Sequence, residues 1–399
     1  MRSFFGRVIG VHADQIVVEN STKQMVVAGA AGVGDWVRLD GLERDSFGWH
    51  GRVTIVAPHG GEPFSLSAGE WGRLRVDGRL GKLHKRARAL ASLRRFFDER
   101  GFLEIEAPLL VPSPGLELHL DAFAVEERFL ITSPEYQLKR LLAGGLSRVF
   151  SVAKCFRRRE AGAQHNPEFT MVEWYRSPGA WRAIADDVER LVFETTVAIT
   201  GRGSIEYQGI PLDLEPPWPS LTVAEAMERY AGVKCEGDEP AEVLAERGRA
   251  MGLRVPEDAR AWDDIFFHLF LDGVEPHLGR GKPTLLYDWP APLCALARAK
   301  PGDARVVERF EAYAGGLELC NGFGELTDPD EQRARLVKDL DERARRGLPA
   351  YPVDEKFLAA LAEGLPPCAG VALGFDRLVM LATDAKTLRE VVAFTADEL

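Results

Sequence analysis

The chain has 399 residues, of which 46% are hydrophobic and 28% are charged, and its formal net charge at pH 7 is -11. This length predicts two or three domains with a sizeable core. Because no apolar run approaches about 20 residues, a membrane-spanning helix is excluded, and the negative charge opposes wholesale binding to nucleic acid.

The spacing of cysteine and histidine predicts neither a disulfide framework nor a zinc site. The five cysteines are scattered and odd in number, and no pair has Cys-x-x-Cys spacing. The eight histidines are equally dispersed. The first residues, MRSFFGRVIGVHADQ, reach Asp14 too early for a secretory signal. We therefore expect a cytoplasmic protein with no membrane partner.

Residues 1–66 are predicted to form a small all-β, OB-like barrel. Five short β-branched runs, GRVIGV, QIVVE, QMVVAG, GDWVRLDG and GRVTIVAP, are separated by turn residues. The following stretch, PHGGEPFSLSAGEWG, is rich in glycine, proline and serine. This pattern predicts a barrel over residues 1–66, a linker over 67–77 and a catalytic domain over 78–399.

A basic segment crosses this boundary and reverses the overall sign of the charge. Between residues 73 and 95 the only acidic residue is Asp77, and there are nine basic residues: Arg73, Arg75, Arg79, Lys82, Lys85, Arg86, Arg88, Arg94 and Arg95. It is either a solvated helix face or a docking surface for an acidic macromolecule.

From about residue 78 the pattern is that of an α+β domain. Apolar residues recur at three- and four-residue intervals up to Phe97, and further helices are predicted at 136–142, 181–199, 241–251, 262–271 and 329–347. Consecutive strands between long helices favour an antiparallel sheet over a doubly wound parallel one.

Three segments place charged residues where a strand is expected to be buried, which is costly unless a partner or ligand compensates. The first, RVFSVAKCFRRREAGAQHNPEFTMVEWY (148–175), is predicted to form two antiparallel strands with Arg157 on one of them. The third, GVALGFDRLVML (370–381), is predicted to be a glycine-rich strand that leads into a helix, with Arg377 at the turn.

The second segment, GLELCNGFGEL (316–326), carries Glu318 and Glu325. Residues seven apart lie on opposite faces of a regular strand. If both carboxylates serve one site, Gly322 or Gly324 is expected to bend or bulge the strand.

These segments resemble, in order and spacing, motifs 2 and 3 of class II aminoacyl-tRNA synthetases, and RRFFDERGFLEIEAPLL (94–110) resembles motif 1, the dimer-forming helix and strand. TSPEYQLKRLL (132–142) and HNPEFTMVEWY (165–175) are similar to lysyl-tRNA synthetases. RARRGLPAYPVDEKF and GVALGFDRLVMLA are similar to the elongation factor P (R)-β-lysine ligases, which attach an activated amino acid to a lysine of elongation factor P. The resemblance begins near residue 78 and implies ATP and Mg²⁺ as cofactors and a homodimer.

The resemblance also implies how ATP is bound. Arg157 is implied to hold the α-phosphate and the substrate carboxylate, and Arg377 the adenine and γ-phosphate side, as suits a permanently charged, planar guanidinium. These are the two expected catalytic residues, because adenylate formation depends on positioning and charge. The other implied ATP-binding residues are Arg159, Glu160, His165, Asn166, Phe169, Glu318, Leu319 and Gly374, and the implied Mg²⁺ ligands are Glu318 and Glu325.

For the amino acid, the resemblance implies receptors for two ammonium groups and a carboxylate. The implied residues are Ser133, Glu135, Glu173, Tyr175, Asn321, Glu325 and Ala372. Ala372 stands where lysyl-tRNA synthetases typically have glycine, as it does in the ligases. One departure concerns motif 2, normally FRxE, because FRRRE puts Arg159 at the glutamate position and Glu160 one residue later.

The leading hypothesis is activation of lysine or β-lysine and its transfer to elongation factor P. A lysyl-tRNA synthetase that charges tRNA is the alternative. Residues 1–66 hold six Lys and Arg against seven Asp and Glu, so they lack the basic surface of an RNA-binding OB module. A non-catalytic paralogue is a third hypothesis, since the glutamates could instead be structural ion-pair partners.

Overall fold

The computed structural model describes residues 3–46, 48–60, 63–118, 120–294 and 296–399. The chain forms two units, Met1–Gly81 and Lys82–Leu399. The predicted limits of the linker stay a prediction, but part of that segment is helical, because helix α1 spans Gly69–Arg73.

In the first unit, alternating apolar residues form five strands that close into a barrel in the order β1-β2-β3-β5-β4. Their bounds are β1 Phe4–His12, β2 Gln15–Glu19, β3 Gln24–Ala28, β4 Trp36–Asp45 and β5 Gly48–Ala57. Val8, Ile16 and Val37 are fully buried inside it. The predicted small OB-like barrel is confirmed.

The second unit is built on a nine-stranded sheet with the order β14-β15-β17-β18-β19-β11-β10-β6, with β16 paired to β17. The neighbouring strands are antiparallel except β14–β15 and β10–β6. The strand bounds are β6 Leu103–Glu104, β10 Arg148–Phe156, β11 Glu168–Arg176, β14 Ser220–Thr222, β15 Thr284–Pro290, β16 Ala299–Lys300, β17 Asp303–Ala314, β18 Leu317–Gly324 and β19 Ala369–Gly374. The antiparallel α+β class is confirmed.

Smaller strands and the helices surround this sheet. Two small sheets hold β7 Leu110–Val111, β8 Ala124–Val125 and β9 Arg128–Leu130, and β12 Ser204–Tyr207 with β13 Ile210–Asp213. The helices are α2 Arg79–Asp98, α3 Glu135–Ala143, α4 Trp181–Thr200, α5 Val223–Ala226, α6 Ala241–Ala250, α7 Trp262–Gly273, α8 Pro329–Arg345, α9 Glu355–Gly364 and α10 Phe375–Thr383.

One face of the sheet packs against the main core and the other carries the candidate site, as the residues of β11 show. Val172 and Trp174 are fully buried in the main core, which includes residues of α2, α4 and α10. The alternate residues, Met171, Glu173 and Tyr175, lie on the opposite face. That face carries the candidate site.

Part of the basic segment is neutralised inside the chain. Arg75 contacts Glu19 at 2.7 Å, and Arg86 contacts Asp376 at 2.5 Å. Lys82 pairs with Glu390, and Arg94 with Glu104. These pairs favour a structural role for much of the segment.

Candidate active site

Three of the predicted site residues form a row across three neighbouring strands. Glu173 on β11 lies opposite Ala372 on β19, and Ala372 lies opposite Asn321 on β18. Antiparallel partners on one face are about 4.5 to 5.5 Å apart at Cβ, so three of the predicted amino-acid-binding residues are neighbours. The methyl group of Ala372 occupies the middle of this row.

Glu173 is 1% exposed and is held by two hydroxyl groups. The Tyr175 hydroxyl donates to Oε1 at 2.6 Å, and the Ser133 hydroxyl donates to Oε2 at 2.7 Å. The backbone N–H of Glu135 in turn donates to the Ser133 hydroxyl at 3.1 Å. The carboxylate is therefore fixed in position.

Two more carboxylates lie around a single buried cation, Lys139. Its Nζ, in a residue that is 0% exposed, lies 2.6 Å from Oε1 of Glu135 and 2.5 Å from Oε2 of Glu325. Gly370 makes room for this cluster, since a Cβ there would lie 2.1 Å from the Tyr175 ring and 2.8 Å from Oε1 of Glu325. Oε1 of Glu325 is buried and has no hydrogen-bond partner among the described residues.

The cluster carries three carboxylates against one ammonium group, and this imbalance perturbs its protonation. Burial, and then the charge of Glu135, raise the pKa of Glu173 to about 8. Burial likewise raises the pKa of Glu325 to about 8 against the attraction of Lys139. Burial alone would lower the pKa of Lys139, but Glu135 and Glu325 outweigh it and raise that pKa. A further cation bound here would favour the ionised form of these carboxyl groups.

The predicted ATP side is organised by Arg377 in the first turn of α10. Its Nη1 donates to the backbone carbonyl of Glu318 at 2.9 Å and lies 3.4 Å from the carboxylate of that residue. Its Nη2 lies 2.7 Å from Nε2 of His165. Because burial and then Arg377 lower the pKa of His165, this histidine accepts as a neutral ring.

The expected irregularity in β18 exists, but its predicted location was wrong. The pairing of β17 with β18 shifts between Glu318 and Cys320, so the extra residue is Leu319. Gly322 pairs regularly with Phe310. It is glycine for another reason, because a Cβ there would lie 2.4 Å from the Phe310 ring.

Arg157 lies beside Phe169, with its guanidinium carbon 5.1 Å from the ring centroid. Its Nη1 is 3.6 Å from Oε1 of Glu160, and its Nε is buried without a hydrogen-bond partner among the described residues. Arg159 has a left-handed backbone, with φ of 73°, and its side chain lies 3.3 Å from Asp121. In the structure, therefore, the side chain of Glu160 lies next to Arg157, whereas that of Arg159 lies next to Asp121.

A cavity of about 530 Å³ joins these groups. Its walls include thirteen of the predicted residues: Ser133, Glu135, Arg157, Glu160, His165, Asn166, Phe169, Glu318, Leu319, Asn321, Ala372, Gly374 and Arg377. Arg159 is not part of the wall. Glu173, Tyr175 and Glu325 are not part of it either, and lie buried in the cluster behind Ser133 and Glu135.

Sequence reasoning missed several residues that position the site. Lys139 is the buried cation of the cluster, and the available signal was its place four residues after Glu135 on a helix. Asp376 accepts from the backbone N–H of Thr170 at 2.9 Å and so ties the start of α10 to β11. It carried no signal of its own beyond the GFDR motif.

Comparison with known proteins agrees with this geometry. Residues 71–398 match the model of the tRNA synthetases class II (D, K and N). The chain belongs to this family. The match of this class II synthetase chain begins after the last barrel strand, so the five-stranded barrel lies outside it.

Curated relatives of this class II synthetase chain are named elongation factor P–(R)-beta-lysine ligase. The protein of Klebsiella pneumoniae subsp. pneumoniae is 41% identical over 327 residues, which cover 79% of this chain and 95% of the relative. That of Klebsiella pneumoniae strain 342 is 42% identical over 330 residues with the same coverage, and that of Salmonella dublin is 41% identical over 327 residues, again 79% and 95%. The predicted membership of the ligase branch is confirmed.

The described residues include neither a membrane-spanning helix nor a cluster of metal ligands. Among the described helices, none combines the length and apolar character needed to cross a membrane. In the same part of the chain, no group of three or more His, Cys, Asp or Glu side chains is arranged to hold a metal ion.

Proposed function

We propose that the chain is an ATP-dependent, AMP-forming ligase that activates a lysine-like amino acid, (R)-β-lysine foremost, and transfers it to a lysine side chain of elongation factor P. The observation that carries the proposal is the buried cluster of Glu135, Glu173 and Glu325 around one lysine, which is short of positive charge beside an arginine-lined cavity. The names of the curated relatives support the choice of amino acid and acceptor.

In this proposal Glu173, Tyr175 and Glu325 receive the side-chain ammonium group. The Tyr175 and Ser133 hydroxyls orient Glu173, so its oxygens are in position before the substrate arrives. Asn321, whose Oδ1 is buried without a partner among the described residues, helps to orient the amino acid. The Ala372 methyl limits the depth of the cavity.

Arg157 and Arg377 supply the charge that the first reaction needs. A carboxylate oxygen of the amino acid attacks the α-phosphorus of ATP, the bond to the bridging oxygen breaks, and pyrophosphate leaves. Arg157 stabilises charge on the α-phosphate and Arg377 on the nucleotide side, while Phe169 lies beside Arg157 as a surface for the adenine ring. In the second step a neutral lysine amine attacks the acyl carbon, AMP departs, and the amine loses a proton.

The donor set also fits Mg²⁺. Hard cations bound with nucleotide phosphates take only one or two protein carboxylates. Glu318 presents a carboxylate that is 37% exposed on the cavity wall. Glu325, the other predicted ligand, does not fit this role, because it is 1% exposed beside Lys139 and lies outside that wall. When bound, the ion would neutralise phosphate charge beside Arg377. The motif 1 segment supports a homodimer, which light scattering on the purified chain would test.

The acceptor is tested by offering unmodified elongation factor P and tRNA in parallel, each with ATP and either labelled lysine or labelled (R)-β-lysine. The proposal expects label on elongation factor P with (R)-β-lysine and none on tRNA. A matched variant, Arg157→Ala, should abolish the labelling of elongation factor P. Labelling of tRNA alone would overturn the proposed acceptor.

A further inference from the structure

Glu117, in the loop between β7 and β8, was not among the predicted site residues. It lines the main cavity, and it also lines a side cavity of about 10 Å³. Ser133 and Glu135 line both spaces as well. Oε2 of Glu117 is buried without a hydrogen-bond partner, and the residue forms no ion pair within the described part of the chain. A carboxylate oxygen left in this way is costly unless a ligand satisfies it.

The loop around Glu117 is shaped for this carboxylate. Gly115 has φ of 103°, and a Cβ there would lie 2.6 Å from Oε2 of Glu117. The Thr132 hydroxyl donates to the carbonyl of Pro114 at 2.5 Å. The segment before Glu117 is therefore attached to the residue next to Ser133.

The segment after Glu117 is held by Arg343, a fully buried residue of α8. Its Nη1 donates to the backbone carbonyls of Glu117 at 2.8 Å and Leu120 at 3.0 Å. Its Nη2 donates to Oδ1 of Asp121 at 3.1 Å. With its backbone fixed on both sides, Glu117 belongs to a built wall of the site.

The charges around Glu117 indicate which kind of ligand this part of the cavity wall would bind. Burial, and then the charge of Glu135, raise the pKa of Glu117 to about 7, while a hydrogen bond from its own backbone N–H, and then Arg157, oppose the rise. The charges of Glu135 and of Arg157, the arginine proposed to hold the substrate carboxylate, both therefore act on Glu117. Glu135 already shares its charge with Lys139 at 2.6 Å, whereas Glu117 has no such partner.

We propose that Glu117, together with Glu135, binds the ammonium group that lies nearest the reacting carboxylate of the amino acid. The inference rests on the proposed function, since it concerns the same substrate. The distal ammonium group goes to Glu173, Tyr175 and Glu325, and the carboxylate to Arg157. The second amino group then lies between Arg157 and the Glu117 loop, which makes Glu117 a specificity residue against ω-amino acids that lack that group.

The test compares two compounds in ATP–pyrophosphate exchange by the full-length chain. One is (R)-β-lysine, or lysine if that is the better substrate, and its KM is measured. The other is 6-aminohexanoate, which keeps the distal ammonium group and the carboxylate but has no second amino group, and its inhibition constant is measured. The inhibition constant of 6-aminohexanoate divided by the KM of the dicationic substrate is the ratio that reports on the second amino group alone.

For Glu117→Gln we expect the KM of the dicationic substrate to rise at least tenfold and the ratio to fall at least fivefold. Asp339→Asn, which removes a carboxylate from the same cavity wall, is the matched control and should change both constants by a similar factor. A ratio in Glu117→Gln that falls less than fivefold, through unchanged constants or through an equal rise in both, would overturn the proposal.

Glu117→Asp separates binding from packing. It keeps the charge but is shorter, so the proposal expects it to retain more of the ratio than the isosteric glutamine does, and the reverse order would identify a space-filling role. Thermal unfolding and ATP affinity of each variant monitor folding. If the unaltered chain exchanges pyrophosphate with neither lysine isomer, the proposed function itself has failed.

Discussion

Replacing Glu173 by glutamine removes a carboxylate from the buried cluster while keeping the shape of the side chain. Losing the partner of a buried charge costs about 2 to 5 kcal/mol in binding. The free enzyme offsets part of this, because with a pKa of about 8 only about a quarter of the molecules carry the ionised carboxylate at pH 7.5. That fraction weakens the affinity of the unaltered protein roughly fourfold.

The dissociation constant of lysine or (R)-β-lysine in Glu173→Gln should therefore rise about 10- to 1000-fold, since each 1.4 kcal/mol is a factor of ten. Calorimetry with each amino acid measures it, and ATP affinity should stay unchanged. Tyr175→Phe is the matched control, because it removes the hydroxyl that donates to Glu173 at 2.6 Å but keeps the charge. Its loss should be about tenfold. Unaltered affinity in Glu173→Gln would refute the assignment of this cluster to the substrate.

Three further predictions follow from the geometry. Binding of the amino acid should release protons and become tighter as pH rises from 6 to 8.5. The reason is that a bound ammonium group favours the ionised forms of Glu173 and Glu325, whose pKa values in the free protein are raised to about 8. Calorimetry in buffers of different ionisation enthalpy measures the released protons, and proton uptake would contradict the prediction. Lys139→Met leaves buried carboxylates without their cation and should lower the free energy of unfolding in urea by about 3 kcal/mol. An unchanged midpoint of urea unfolding would show that Lys139 does not stabilise the fold. Arg159→Ala should change the KM for ATP less than threefold, because the side chain is 66% exposed and outside the cavity wall; a change as large as that of Arg157→Ala would restore it to the ATP site.

Most of the site residues were predicted from the resemblance to class II synthetases, and short-range patterns account for part of their placement. The alternation along EFTMVEWYR places Glu173 and Tyr175 on one face whatever the rest of the chain does. The need for an irregularity between Glu318 and Glu325 was equally predictable from their spacing. Its position at Leu319 was not, because the register depends on the pairing of β18 with β17, a long-range contact.

The residues that were missed depend on tertiary packing. Lys139 and Arg140 are adjacent on α3, and only the packing of that helix against the sheet decides that Lys139 is the buried one. Glu117 lies in a loop with a proline and a glycine, where sequence predicts exposure. Its backbone carbonyl is held by Arg343, more than two hundred residues later in the chain. Strand periodicity carries no information on such contacts.

Pyrophosphate exchange with a panel of amino acids tests the central claim most directly. The panel compares lysine and (R)-β-lysine with norleucine, which keeps the carbon chain but lacks the distal ammonium group. A surplus of buried carboxylates predicts exchange with at least one of the two dicationic compounds and none above background with norleucine. Exchange with norleucine at a comparable rate, or no exchange with either lysine isomer, would contradict the account.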